Sequence, residues 1–181
     1  MRARLRKTIV LVGMMGAGKT AVGQALARLL GVPFLDSDEE IERAAARTIP
    51  EIFARDGEPF FRRKESQVIG RLLTGRPAVL STGGGAFVSA DNRRMIHDLG
   101  VSVWLDADVD VLWQRVRHRS HRPLLRSPDP RRTLEELLEA RRPAYAEADI
   151  QVRALPHYAV EDTAREVIDA LDARPDVLER K

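Results

Sequence analysis

The sequence predicts an α/β domain, a parallel sheet covered by helices, and three observations carry that prediction. Short apolar or β-branched runs alternate with helix-period segments along the chain. The first run leads into a glycine-rich loop that opens a helix. At 181 residues the chain has room for one domain with a substantial core and is short for two.

The runs expected as strands are residues 8–12, 34–36, 78–81, 101–105 and 150–153. Punctuation marks the helices between them. Gly31 and Gly100 each follow a helical segment, as C-cap glycines do. Thr48-Ile-Pro-Glu51 has capping-box spacing with a proline in the first turn. Two segments exceed a minimal sheet-and-helix layout: a helical insertion over about 37–74, and RHRSHRPLLRSPDPRR, whose arginines and prolines suggest a mobile loop rather than core.

Composition narrows the function. The net charge is +3 and the basic residues are almost all arginine, which suits small carboxylate and phosphate ligands better than a nucleic acid. Cysteine is absent, so disulfides, thiolate metal sites and thiol nucleophiles are excluded. The apolar run after the basic start is too short for a signal peptide, and no stretch reaches a membrane span. A soluble cytoplasmic protein, without membrane or nucleic-acid partners, is expected.

GMMGAGKT, from Gly13 to Thr20, fits G-x-x-x-x-G-K-[ST] between a strand and a helix. Gly16 and Gly18 free the backbone to curl around phosphates, and the following helix adds the partial charge of its N-terminus. Gly13, Ala17 and Ala21 complete the expected nucleotide-binding stretch. Lys19 is placed to reach the β and γ phosphates and Thr20 to ligate Mg²⁺. The guanine-reading N-K-x-D is absent, and the third run ends in Ser81-Thr82-Gly83 instead of an extended acidic strand. A small-molecule kinase remains.

In LDSDEE, Asp36 closes the second run and Asp38 lies two residues beyond, at the carboxyl end of the expected sheet. One carboxylate can hold Mg²⁺ through water while the other orients or deprotonates an attacking hydroxyl. An N-cap on the following acidic first turn explains Asp36 or Ser37 equally well. Trp104 and Trp113 read as packing, and His118 and His121, without acidic partners nearby, as surface.

Gly13-x-x-Gly16-x-Gly18-Lys19-Thr20, Asp36-x-Asp38, IFARDGEPFFRRKE, LSTGGGA, RPLL and RRPAY follow one another in the order and at the spacing of shikimate kinases, and the chain from about Ile9 to Val152 resembles that family. The resemblance implies a P-loop NTPase fold of the nucleoside-monophosphate-kinase-like type, with five parallel strands in the order 2-3-1-4-5 and a lid loop over about 117–130. It implies transfer of the γ-phosphoryl of ATP to the 3-hydroxyl of shikimate, with Mg²⁺, in chorismate and aromatic amino-acid biosynthesis, by a monomer. Arg62 and Arg141 look like the clamp on the substrate carboxylate, with Glu65 fixing Arg62 from three residues on. Asp38 looks like the group that holds the reacting hydroxyl. Arg122 resembles the lid arginine that meets the transferring phosphoryl charge, and Arg115 the arginine that lies against adenine.

In the triplet, Gly84 and Gly85 are expected to be glycine because a side chain would occupy substrate space, and Gly83 to serve the geometry of the turn. The chain departs from the family after its last strand. There Ala159 stands where a proline is expected against adenine, with Pro156 as its substitute. The tail 174–181 lies outside the resemblance and is expected to be disordered. The alternatives are another small-molecule kinase, such as a gluconate-kinase relative, and a nucleotide-binding regulator that has lost catalysis.

Overall fold

The computed structural model describes residues 3–118 and 126–181. Its centre is β2 (Thr8–Val12), TIVLV, buried along its whole length as a strand flanked on both sides must be. It pairs in parallel with β4 (Val79–Ser81), where Ile9 faces Val79, and with β5 (Gly100–Asp106), where Val12 faces Trp104. β3 (Phe34–Asp36) adds to β4 and β6 (Ile150–Arg153) to β5, which gives a five-stranded sheet in the order β3-β4-β2-β5-β6. Counted within that sheet, this is the expected order 2-3-1-4-5.

Helices cover both faces. α1 (Lys19–Leu30) buries Val22, Ala25 and Leu26 and ends where Gly31, in the left-handed conformation, donates back to the carbonyls of Ala27 and Arg28. α4 (Ala90–Leu99) and α5 (Val109–Val116) flank β5, and α6 (Pro130–Tyr145) and α7 (Val160–Ala170) flank β6. Gly100 does follow α4, yet its backbone is extended. Glycine is needed there because a Cβ would stand 2.7 Å from the Thr8 carbonyl oxygen on the neighbouring strand.

The insertion is α2 (Ser37–Ala45) and α3 (Ile49–Leu73), with a small core of their own from Ile41, Ile52, Phe61 and Val68. Thr48 caps α3 by accepting from the Glu51 N–H, which is one half of the capping box its spacing suggests; the Glu51 side chain does not return the bond. The helix is broken at Gly57, which holds φ 82° and ψ 171°. The break re-aims the chain before Arg62 and Glu65.

The tail corrects the sequence reading. β7 (Leu178–Arg180) pairs antiparallel with β1 (Ala3–Leu5), and Val177 and Leu178 are buried. Arg6–Glu179 and Arg180–Asp172 ion pairs hold its edge, and a bidentate contact with Arg174 lowers the Asp176 pKa to about 2. Burial of a Val and a Leu side chain contributes about 3–6 kcal/mol. Deleting residues 174–181 is therefore expected to lower the thermal midpoint by ten degrees or more, on the order of that energy for a domain of this size. An unchanged midpoint would return the tail to the status of a passive extension.

No helix among the described residues is long and apolar enough to cross a membrane.

Candidate active site

The carboxyl ends of β2, β3, β4 and β5 open onto one side of the sheet, and a cleft of about 590 Å³ lies there. Its floor is the loop between β2 and α1. Gly16 and Gly18 have φ values of 83° and 94°, open to glycine and strained for other residues, and a Cβ on Gly16 would also meet Val116 at 2.8 Å. Gly18 is the N-cap of α1 and leaves that helix without a side-chain cap. By contrast Asp36, Thr48, Ser89 and Asp129 cap α2, α3, α4 and α6. The first-turn N–H groups of α1 thus remain available to an anion. Lys19 arches over the loop, its Nζ donating to the carbonyls of Gly13 at 2.5 Å and Met14 at 3.2 Å.

Arg115, exposed on α5, donates to the Gly16 carbonyl at 2.9 Å and forms one wall of the cleft. The opposite wall comes from beyond β6. Ala154, Tyr158, Val160 and Thr163 line it, and the expected stand-in Pro156 does not; nor does Ala159. The sequence reading looked for a proline, whereas the wall consists of a tyrosine and small or branched side chains.

Asp36 answers to both of its readings. Its Oδ1 accepts from the Glu39 N–H at 3.1 Å, so it is the N-cap of α2, and it also lines the cleft. Asp38, in the first turn of α2, sits against the glycine loop after β4. Burial, and next the Asp36 charge, push its carboxyl above the ordinary carboxylate range, against the pull of Lys19 and Arg62.

The glycine triplet is explained by what lies against it. A Cβ on Gly83 would stand 3.0 Å from Asp38 Oδ1, one on Gly84 2.7 Å from Arg141 Nη1, and one on Gly85 2.6 Å from Arg62 Nη2. None of the three has a positive φ, so turn geometry does not account for Gly83. Nor is it substrate alone that excludes side chains at Gly84 and Gly85. Each glycine admits one charged side chain, Asp38 at Gly83, Arg141 at Gly84 and Arg62 at Gly85, so an acid and two arginines gather at one loop.

Arg62 and Arg141 line a second cleft of about 480 Å³, which adjoins the first across Gly84 and Gly85. Arg62 donates to Glu65 Oε1 at 2.9 Å, the contact its spacing suggests. Glu65 is almost fully buried, and that burial raises its carboxyl even with Arg62 beside it. The expected lid residue Arg122, with His121, lies outside the described residues.

Residues 15–172 match the family model described as "Shikimate kinase". The chain belongs to the shikimate kinase family. It is 71% identical over 177 residues to a shikimate kinase of Cereibacter sphaeroides, covering 98% of this chain and 88% of that one. A shikimate kinase of Ruegeria pomeroyi is 64% identical, with 98% and 91% covered. Among solved structures, the chain is similar to the shikimate kinase from Acinetobacter baumannii in complex with shikimate, at 41% identity and a TM-score of 0.85 over 92% of this chain and 93% of that one. A gluconokinase from Sinorhizobium meliloti, at 21% identity and a TM-score of 0.61 over 94% of each chain, shares the fold.

Two polar groups in this shikimate kinase family member escaped the sequence reading. Tyr145, in RRPAY, is fully buried and donates to the Gly84 carbonyl at 2.6 Å. Asn92 is buried on α4, donates to the Ala86 carbonyl at 2.9 Å and accepts from the Ser66 hydroxyl at 2.7 Å. The signals available for Tyr145 are its place in the RRPAY element and its position four residues, one helical turn, after Arg141.

Proposed function

We propose that this chain transfers the γ-phosphoryl of ATP to the 3-hydroxyl of shikimate, and that the acid and two arginines seated on Gly83, Gly84 and Gly85 bind the acceptor. The observation that carries the reading is this row of three charged side chains beside an uncapped helix N-terminus. Two guanidinium forks at one end suit a ring carboxylate, and a lone, partly desolvated carboxylate at the other suits a hydroxyl.

In the reaction, the 3-hydroxyl oxygen bonds to the γ phosphorus as the bond to the β,γ-bridging oxygen breaks and ADP leaves. The hydroxyl proton passes to an Asp38 oxygen. Lys19 and the open N–H groups of Gly18, Thr20 and Ala21 hold the phosphate charge. Arg115 and Tyr158 bracket the adenine base, and the role the family resemblance implies for Arg122, outside the described residues, is to neutralise the transferring phosphoryl charge. Glu65 keeps Arg62 aimed at the substrate carboxylate.

Thr20 and Asp36 offer hydroxyl and carboxylate oxygens beside the loop, a hard donor set that fits Mg²⁺. Among the described residues no group of three or more carboxylate or histidine ligands forms a full protein cage. That suits an ion which keeps its waters and shares the substrate phosphates. When bound, Mg²⁺ neutralises charge on the phosphates. The protein is proposed to act as a monomer in the cytoplasm.

Gly85→Ala tests the acceptor site. The new Cβ would displace the Arg62 fork while leaving the strands untouched, so the KM for shikimate is expected to rise about tenfold to a hundredfold, the size of a lost charge-assisted hydrogen bond. The KM for ATP should stay within about twofold of the parent value. A shikimate KM equal to that of the parent would remove Arg62 from the site.

A further inference from the structure

The glycines that admit Asp38, Arg141 and Arg62 leave a loose backbone, because glycine resists rotation less than any other residue. β4 ends at Ser81, so sheet hydrogen bonding does not fix the triplet. Within the loop, the Ala86 N–H donates to the Gly83 carbonyl at 3.1 Å and the Val88 N–H to the Gly85 carbonyl at 3.2 Å. Among the described residues, the Gly84 carbonyl accepts its one hydrogen bond from the Tyr145 hydroxyl, and the Gly85 N–H has no acceptor.

These two groups belong to one planar peptide unit and point in opposite directions. Whatever holds the Gly84 oxygen therefore aims the Gly85 N–H. Tyr145 is a firm anchor: its ring is fully buried and packs on Trp104, with centroids 5.8 Å apart. Its hydroxyl also lies 3.8 Å from Met14 Sδ, and Arg141 Nη1 lies 4.0 Å from the same sulfur. The nucleotide loop, the glycine loop and α6 meet at this point.

We propose that Tyr145 is a positioning residue for the phosphoryl acceptor: through its hydrogen bond to the Gly84 carbonyl it sets the plane of the Gly84–Gly85 peptide, and with it the N–H offered to substrate and the seat of Arg141. Tyr145 acts through these groups without touching substrate. The inference rests on reading the triplet and Arg141 as the acceptor site.

Tyr145→Phe keeps the ring and its packing and removes the tether. By calorimetric titration, the Kd for shikimate is expected to rise about tenfold, the size of one hydrogen bond, with the Kd for ATP within about twofold of the parent. A purely structural tyrosine would instead lower the thermal midpoint and leave shikimate affinity, measured well below that midpoint, within about twofold; that result overturns the proposal. The parent chain decides the matter if Tyr145→Phe does not fold: the Gly85 amide resonance should shift when shikimate is added, and an unmoved resonance would overturn the proposal. Arg141→Lys separates the two levels of the argument. If it leaves the shikimate Kd unchanged, the acceptor-site reading fails; if it weakens binding while Tyr145→Phe does not, the tether alone fails.

Discussion

Lys19→Met is expected to lower kcat by at least about 10²–10³-fold, the cost of removing one preorganised donor from developing phosphoryl charge. The fold should survive. Lys19 is only half-buried, lines the cleft, and donates to the Gly13 and Met14 carbonyls of its own loop. Those same contacts hold the ammonium over the loop between β2 and α1, where the proposal places the phosphates. Coupled ADP release and thermal unfolding, run on the same preparation, give both answers. A variant that turns over within about fivefold of the parent would contradict the assignment of the loop.

Asp38→Asn should have the second large effect. It keeps the size and hydrogen-bonding reach of the side chain and removes the charge, and kcat should fall about 10²-fold or more if the carboxylate takes the hydroxyl proton. A loss below about tenfold would leave Asp38 only the holding of the hydroxyl, because a loose phosphoryl transfer needs little help from a base. The same substitution carries a stability signature of opposite sign. Folding raises the pKa of Asp38, chiefly through burial and then through Asp36, so above that value the folded protein holds a charge that the unfolded chain solvates better. Removing the charge should raise the thermal midpoint at pH 8. The gain should shrink as pH falls through the raised pKa, where the parent carboxyl becomes neutral as well, and the parent's rate should fall over the same interval. A variant less stable than the parent at pH 8 would place Asp38 among structural acids.

The parts of the site legible in the sequence are those whose chemistry is local. The phosphate loop is one contiguous stretch, and its glycines state their own backbone requirement at Gly16 and Gly18. The strands were legible because a buried parallel strand is an unbroken apolar run, as TIVLV is. Arg62 and Arg141 carry no local sign of function, and only the family resemblance singled them out.

What stayed hidden depends on distant contacts. Tyr145 finds Gly84 across 61 residues and Ser66 finds Asn92 across 26, and no periodicity records such pairs. The tail pairs with the opposite end of the chain, Arg180 beside Ala3, in strands of three residues that are too short to show alternation. The sequence explains Gly84 and Gly85 by the space a substrate needs, and Gly83 by the turn. The structure adds the protein's own neighbours, because the closeness of Asp38, Arg141 and Arg62 to that backbone is set by three other helices.

Asp38, Arg141 and Arg62, gathered on the glycine triplet, are proposed to select a ring acid and present its hydroxyl to ATP. The most direct measurement is coupled ADP release by the purified chain with ATP, Mg²⁺ and either shikimate or gluconate, with the shikimate product examined by phosphorus and proton NMR. Expected are shikimate-dependent ADP release, a single phosphomonoester at the 3-position, and a rate with gluconate at least about 10²-fold lower, since a flexible open-chain acid must be ordered on binding where a ring acid is already rigid. Equal turnover of gluconate, or ADP release that ignores shikimate, would contradict the proposal.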